Sequence, residues 1–156
     1  MGNYYIGQTP FLPISNTSLL VALENPADSR VNIYLNVSTI TSMQALGFVE
    51  FYLGPNLEGK TTSNLFSVTN TNFEKTPKGI IKYFEPAILP TNSTSIFTRY
   101  IPNPGTEIVD GGQIILSPGT SFLVYLNDTT NPLTNVYTRV AFGWWEEHQP
   151  PCHCIG

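Results

Sequence analysis

Charge is the scarcest thing in this sequence. Only 12% of its 156 residues are Asp, Glu, Lys or Arg, about half the usual share. The seven Lys and Arg stand singly, so there is no basic stripe on which nucleic acid could dock. Histidine is rarer still: His148 and His153 both lie near the C-terminal end. Nucleophilic catalysis needs a base beside its nucleophile, and with no Gly-x-Ser-x-Gly run it has nothing to build on. Glu146 and Glu147 are neighbours in sequence, and on a strand they point to opposite faces, so they cannot flank one bond. Their expected role is to end a strand and discourage edge pairing. Gly111-Gly112 leads into a strand pattern and not a helix, which removes a phosphate-cradling loop. No enzyme activity and no cofactor are expected. Runs with helical period are missing, and no apolar stretch reaches the length of a membrane span.

Cysteine is restricted to one place, Cys152-His153-Cys154. With His148 these make four potential metal ligands within seven residues, but zinc sites usually separate paired cysteines by two to four residues. Adjacent ligands close a tetrahedron poorly, and metal binding is set aside. A Cys-x-Cys ring is small and strained, and the chain has no third cysteine. Leftover thiols of this kind point to bonds between chains; the bland alternative is idle thiols on a disordered tail.

What the sequence has in plenty is neutral polarity: 18 Thr, 14 Asn and 11 Ser, with 12 Gly and 13 Pro. Thr suits strands, while Asn, Ser, Gly and Pro suit turns. A hydrophobic share of 41%, with 12% aromatic, argues against disorder. The length fits one domain with a real core.

The strongest strand signal is at the end of the chain. Val136, Thr138, Val140, Phe142 and Trp144 alternate with Tyr137, Arg139, Ala141, Gly143 and Trp145, until Pro150-Pro151 closes the run. Ser18–Glu24 reads as a short buried strand. From residue 30 to 42, Val31, Ile33, Leu35 and Val37 are expected inward and Asn32, Tyr34, Asn36 and Ser38 outward, with a slip of phase before Ile40 that signals a bulge or bend. Further strands are expected over 47–53, 79–85, 94–101 and 120–127, with a weaker one over 61–68 and a loop over 69–78. Two strand pieces flank Gly111-Gly112, where a bulge or corner is expected. Eight or nine strands separated by turn signals predict an all-β domain: a single antiparallel β-sandwich, most simply a jelly roll of about eight strands. An immunoglobulin-like sandwich is the second choice, but it lacks an internal cysteine pair.

Residues 1–16 are expected to form an extended N-terminal connector arm, residues 17–148 the sandwich, and residues 149–156 a cysteine-bearing tail. The arm carries Tyr4, Tyr5, Ile6, Phe11, Leu12 and Ile14. Pro10 and Pro13 exclude a helix and a central strand there. Two readings stay open: an arm packed along its own domain, or a connector that docks on a neighbour by strand addition. Trp144 and Trp145 must face opposite ways on a strand. The outward one suits a subunit interface or, on a jelly roll, stacking on sugars.

The start of the chain has neither a basic segment nor a continuous apolar centre, so no secretory signal is read there. Gly2 lacks the hydroxyl at position six that myristoylation expects. Asn16, Asn36, Asn92 and Asn127 sit in Asn-x-Ser/Thr triplets, read as accidents of composition. The composition looks extracellular while the start looks cytosolic: either a signal is removed before Met1, or the protein reaches the outside without secretion, for example by cell lysis.

An apolar N-terminal connector, one compact sandwich, a Thr/Asn-rich charge-poor surface and cysteines on a terminus together resemble the subunits of bacterial endospore appendages, the protein fibres of spore surfaces. The resemblance covers overall layout. It implies a jelly roll made in the mother cell, freed by lysis, polymerised by strand augmentation and locked by intermolecular disulfides. The partners it implies are further copies of the chain and an anchoring protein, with no nucleic acid and no membrane. Appendage subunits carry cysteines in the N-terminal connector, whereas residues 1–14 here have none. The crosslink implied for this chain runs through Cys152 and Cys154. The competing expectation is a carbohydrate-binding or phage or virus surface module of the same fold, which would be a small soluble oligomer.

Overall fold

The computed structural model describes residues 2–14, 18–58, 61–62, 66–68, 75–84, 87–127 and 136–151. Twelve strands occupy them: β1 Asn3–Gln8, β2 Leu12–Ile14, β3 Ser18–Glu24, β4 Val31–Ser42, β5 Gly47–Pro55, β6 Thr61–Thr62, β7 Phe66–Val68, β8 Ile80–Phe84, β9 Thr94–Ile101, β10 Gly105–Leu116, β11 Thr120–Asn127 and β12 Val136–His148. They form two six-stranded antiparallel sheets, making a β-sandwich. One sheet runs β10-β4-β12-β1-β7, with β2 also on β12; the other runs β6-β8-β3-β11-β5-β9. Four antiparallel pairs nest inside one another along the chain: β1 with β12, β3 with β11, β4 with β10, and β5 with β9.

The core lies between the sheets. Phe51 of β5 stacks on Phe122 of β11 with ring centres 5.7 Å apart, and Phe122 meets the edge of Phe142 of β12 at 6.2 Å. These three rings bridge the layers. Ser18–Glu24 has no polar alternation because its sheet is covered on both faces. Leu19, Val21 and Leu23 face the main core, while Leu20 and Ala22 face a second cluster with Leu57 and Leu123. The corner between β3 and β4 is held by Asn25, whose amide Nδ2 donates to the carbonyls of Val31 and Leu116, 2.8 Å each.

Both irregularities read from the sequence occur, with one change of position. The pairing of β10 with β4 slips between Asp110 and Ile114, at the double glycine. Gly111 is needed there, since a Cβ would stand 2.5 Å from the Leu35 side chain. On β4 the extra residue is Asn36, because β12 pairs Gly143 with Val37 but Trp144 with Leu35. The slip therefore comes earlier than expected: Ser38 is fully buried, and Val37 turns toward the outer face.

On the outer side of β5, the Tyr52 hydroxyl donates to the Glu50 carboxylate. That bond, followed by burial, holds the phenol up at about 12 against the ordinary 10.0. Folding therefore favours the protonated phenol. The resulting stability is present below pH 10 and is lost as pH rises from 10 through 12. Ultraviolet titration should show Tyr52 ionising about two units late, and Glu50→Gln should return that step toward 10.

Candidate functional site

Strand β12 is the axis of the candidate assembly site. Its inner face supplies Val140, Phe142 and Trp144 to the core. The arm runs antiparallel along one side of it: β1 pairs Asn3 with Glu146 through Gln8 with Ala141, and β2 pairs Leu12 with Thr138 through Ile14 with Val136. On its far side β1 is paired with β7. The expectation that this segment could not be a paired interior strand is thus corrected. The reason is where the prolines fall. β1 ends at Gln8, before Pro10, and Pro13 sits in β2, which pairs with β12 on one side and lies off the main strand order. A proline is tolerated in such a strand when its N faces away from the ladder.

The six arm residues separate by face. Tyr5 and Ile14, expected at a subunit contact, are buried in the core of their own chain, and Tyr5 lies 6.0 Å from the Trp144 ring. Burial, followed by the charge of Glu146, raises the Tyr5 phenol above its ordinary range. Leu12 is half-buried against the same core. Tyr4 lies on the outer face, 4.8 Å from the Trp145 ring, and its hydroxyl accepts a hydrogen bond from Asn36 Nδ2 at 3.1 Å. Gly143 makes room for it, since a Cβ there would stand 2.2 Å from the Tyr4 hydroxyl. Ile6 is exposed beside a shallow apolar pocket of about 120 Å³, shared with Val37, Thr39 and Ala141. Phe11 is exposed beneath the Arg139 guanidinium, 4.2 Å from its ring centre.

The registers bring Tyr4, Trp145, Tyr34 and Ile115 into one row across four neighbouring strands of the outer face. The sequence required one of Trp144 and Trp145 to face outward but gave no sign of the row, because its members come from four distant segments. Among the described strands, each sheet has a long edge strand, β10 in one and β9 in the other, opposite the short β7 and β6. The two long edge strands carry exposed Ile108, Ile115 and Tyr100.

Glu146 does not end the strand as expected. β12 continues to His148, and Glu146 is 7% exposed. Its carboxylate accepts from Gly79 N at 2.7 Å, Lys78 N at 3.0 Å and Trp144 Nε1 at 3.0 Å. A buried charge is tolerable when donors surround it. Glu146 thereby clips residues 78–79 onto the end of the core. Cys152 and Cys154 lie outside the described residues, as does His153. Among the described residues no group of three His, Cys, Asp or Glu gathers as a metal site.

A family model described as a family of unknown function (DUF6143) matches residues 1–150. The matched span takes in the arm and β12 and ends before Cys152. No curated protein and no solved structure matches the chain.

Proposed function

We propose that this chain, which belongs to the DUF6143 family, is a structural subunit of a self-assembling extracellular or spore-surface filament. The observation that carries the reading is the position of β1. It is the first strand, it plugs Tyr5 into the core, and a proline-bearing segment joins it to the rest of the domain. Such a strand can fill the equivalent slot of a second copy with the same hydrogen bonds and the same buried side chains. Exchange of the arm from one copy to the next repeats without closing and grows a fibre. Exposed Ile6 and Phe11 add contact surface.

The finer fold reading supports this. The four nested pairs and the strand order of both sheets support reading the sandwich as one long antiparallel ribbon wound into a jelly roll of eight main strands. The short β6, β7 and β8 are then additions between the fifth and ninth strands. The disulfide part of the reading rests on the sequence: Cys152 and Cys154 bond to the tails of other copies or to an anchoring protein. A location on the cell or spore surface follows from the same resemblance.

A second reading has its own observation. The row of Tyr4, Trp145, Tyr34 and Ile115 sets three aromatic rings and an aliphatic side chain on the outer face, and such rings can stack on sugars, which suits a carbohydrate-binding or phage or virus surface module. The test is negative-stain electron microscopy of the purified chain, with gels run with and without reductant. Filaments with a reductant-sensitive ladder support the subunit reading. A discrete monomer or trimer whose tryptophan fluorescence shifts on adding sugar would replace it with the second.

A further inference from the structure

An open cleft of about 750 Å³ lies at the end of the sandwich, lined by Ala27, Asp28, Ser29, Arg30, Lys78 and His148. Two of the seven Lys and Arg of this charge-poor chain and one of its two histidines converge there. Their backbones are fixed by separate contacts. Arg30 O accepts from Gln149 N at 3.1 Å. Lys78 N donates to the Glu146 carboxylate. His148 is paired with Val31 as the last residue of β12. Among the described residues, the ion pairs Lys82 with Glu24 and Arg99 with Glu107 do not draw on the side chains of Arg30, Lys78 or His148.

Arg30 adds an independent sign. It is the one non-glycine residue with positive φ among those described, at 59°. That conformation disfavours most side chains and suits Gly or Asn. A residue held at such a cost marks a position worth examining for function. The strain belongs to the turn, which glycine would make more easily, so the fold alone does not call for an arginine here.

We propose that this cleft binds a phosphate group carried on a small polar molecule, such as a polyol or sugar phosphate. Arg30 offers a planar fork of donors matched to two phosphate oxygens, Lys78 offers a point charge, and His148 offers a ring N–H. Asp28 opposes them with one negative charge, leaving the cleft net positive. A cleft with an excess of positive charge concentrates anions. The volume exceeds what a bare phosphate fills and lies in the range of small-ligand sites, so the carrier has room beside Ala27 and Ser29. The inference does not depend on assembly.

Isothermal titration calorimetry of the full chain with inorganic phosphate, glycerol 3-phosphate and glycerol tests it. Saturable binding of both phosphates, tighter for glycerol 3-phosphate, and none of glycerol is expected. Arg30→Asn and Lys78→Gln should each weaken binding about tenfold or more, the scale of one charge-assisted hydrogen bond. Asp28→Asn should tighten it. Asn accepts the left-handed backbone, so Arg30→Asn should keep its Tm and its loss is read as loss of the guanidinium. Arg99→Gln, on β9, serves as the control for general charge. No saturable heat with either phosphate would overturn the proposal. So would Arg30→Asn and Lys78→Gln variants that bind no worse than Arg99→Gln.

Discussion

Glu146→Ala is expected to destabilise the domain by roughly 3–5 kcal/mol, because three N–H donors lose their acceptor together and each buried unsatisfied group costs about 1–3 kcal/mol. Trp144 Nε1 is the worst placed, since Trp144 is fully buried. Residues 78–79 lose their tie to β12, and the end of the core opens to water. A domain of this kind has only about 5–15 kcal/mol in hand. Urea unfolding should show a midpoint shift with an unchanged slope. Glu146→Gln should cost less, because its carbonyl oxygen can still accept from Gly79 N and Trp144 Nε1 while its amide meets Lys78 N. If Glu146 merely ended a strand in solvent, both variants would stay within about 0.5 kcal/mol of the parent.

Tyr5→Ala is expected to cost about 3–5 kcal/mol, the usual range for deleting a buried aromatic ring, and to loosen the whole arm. The ring is 1% exposed and packs against Trp144. Without it, β1 keeps its ladder to β12 but loses its buried anchor. Amide exchange should accelerate at Asn3–Gln8 and at their partners on β12, while β3 and β11 in the other sheet stay protected. Tyr4→Ala removes a half-exposed ring and should cost far less. Equal, small effects of the two substitutions would mean that the arm rests on the surface and plugs nothing.

These two residues also mark what the sequence could and could not disclose. The alternation of β12 was plain over Val136–Trp145, and the double glycine marked the slip in β10, because period and turn chemistry are local. The unbroken apolar run of β3 told of burial without telling that both faces were covered. Glu146 gave no local signal: two of its donors lie 68 and 67 residues away, so an acid at a strand end looked like a stop. The arm was obscured by Pro10 and Pro13, which argue against a paired strand only at their own positions and left Asn3–Gln8 free to pair. Asn36 moved the bulge on β4 by a few residues, which carried Ser38 into the core. Arg30, Lys78 and His148 were single residues in three segments, and only the corner after β3 and the clip at Glu146 bring them to one cleft.

The central claim is that the arm of one copy pairs with β12 of another. Gln8 and Ala141 are opposite each other in the register of β1 and β12. Directly opposed residues lie within the Cα separation that a disulfide spans. The direct measurement is a non-reducing gel of the oxidised chain carrying Gln8→Cys and Ala141→Cys, with Cys152 and Cys154 changed to Ser. The account predicts a ladder of covalent multimers that collapses with reductant. A single monomeric band holding an internal disulfide would show that each arm stays on its own domain, and would contradict it.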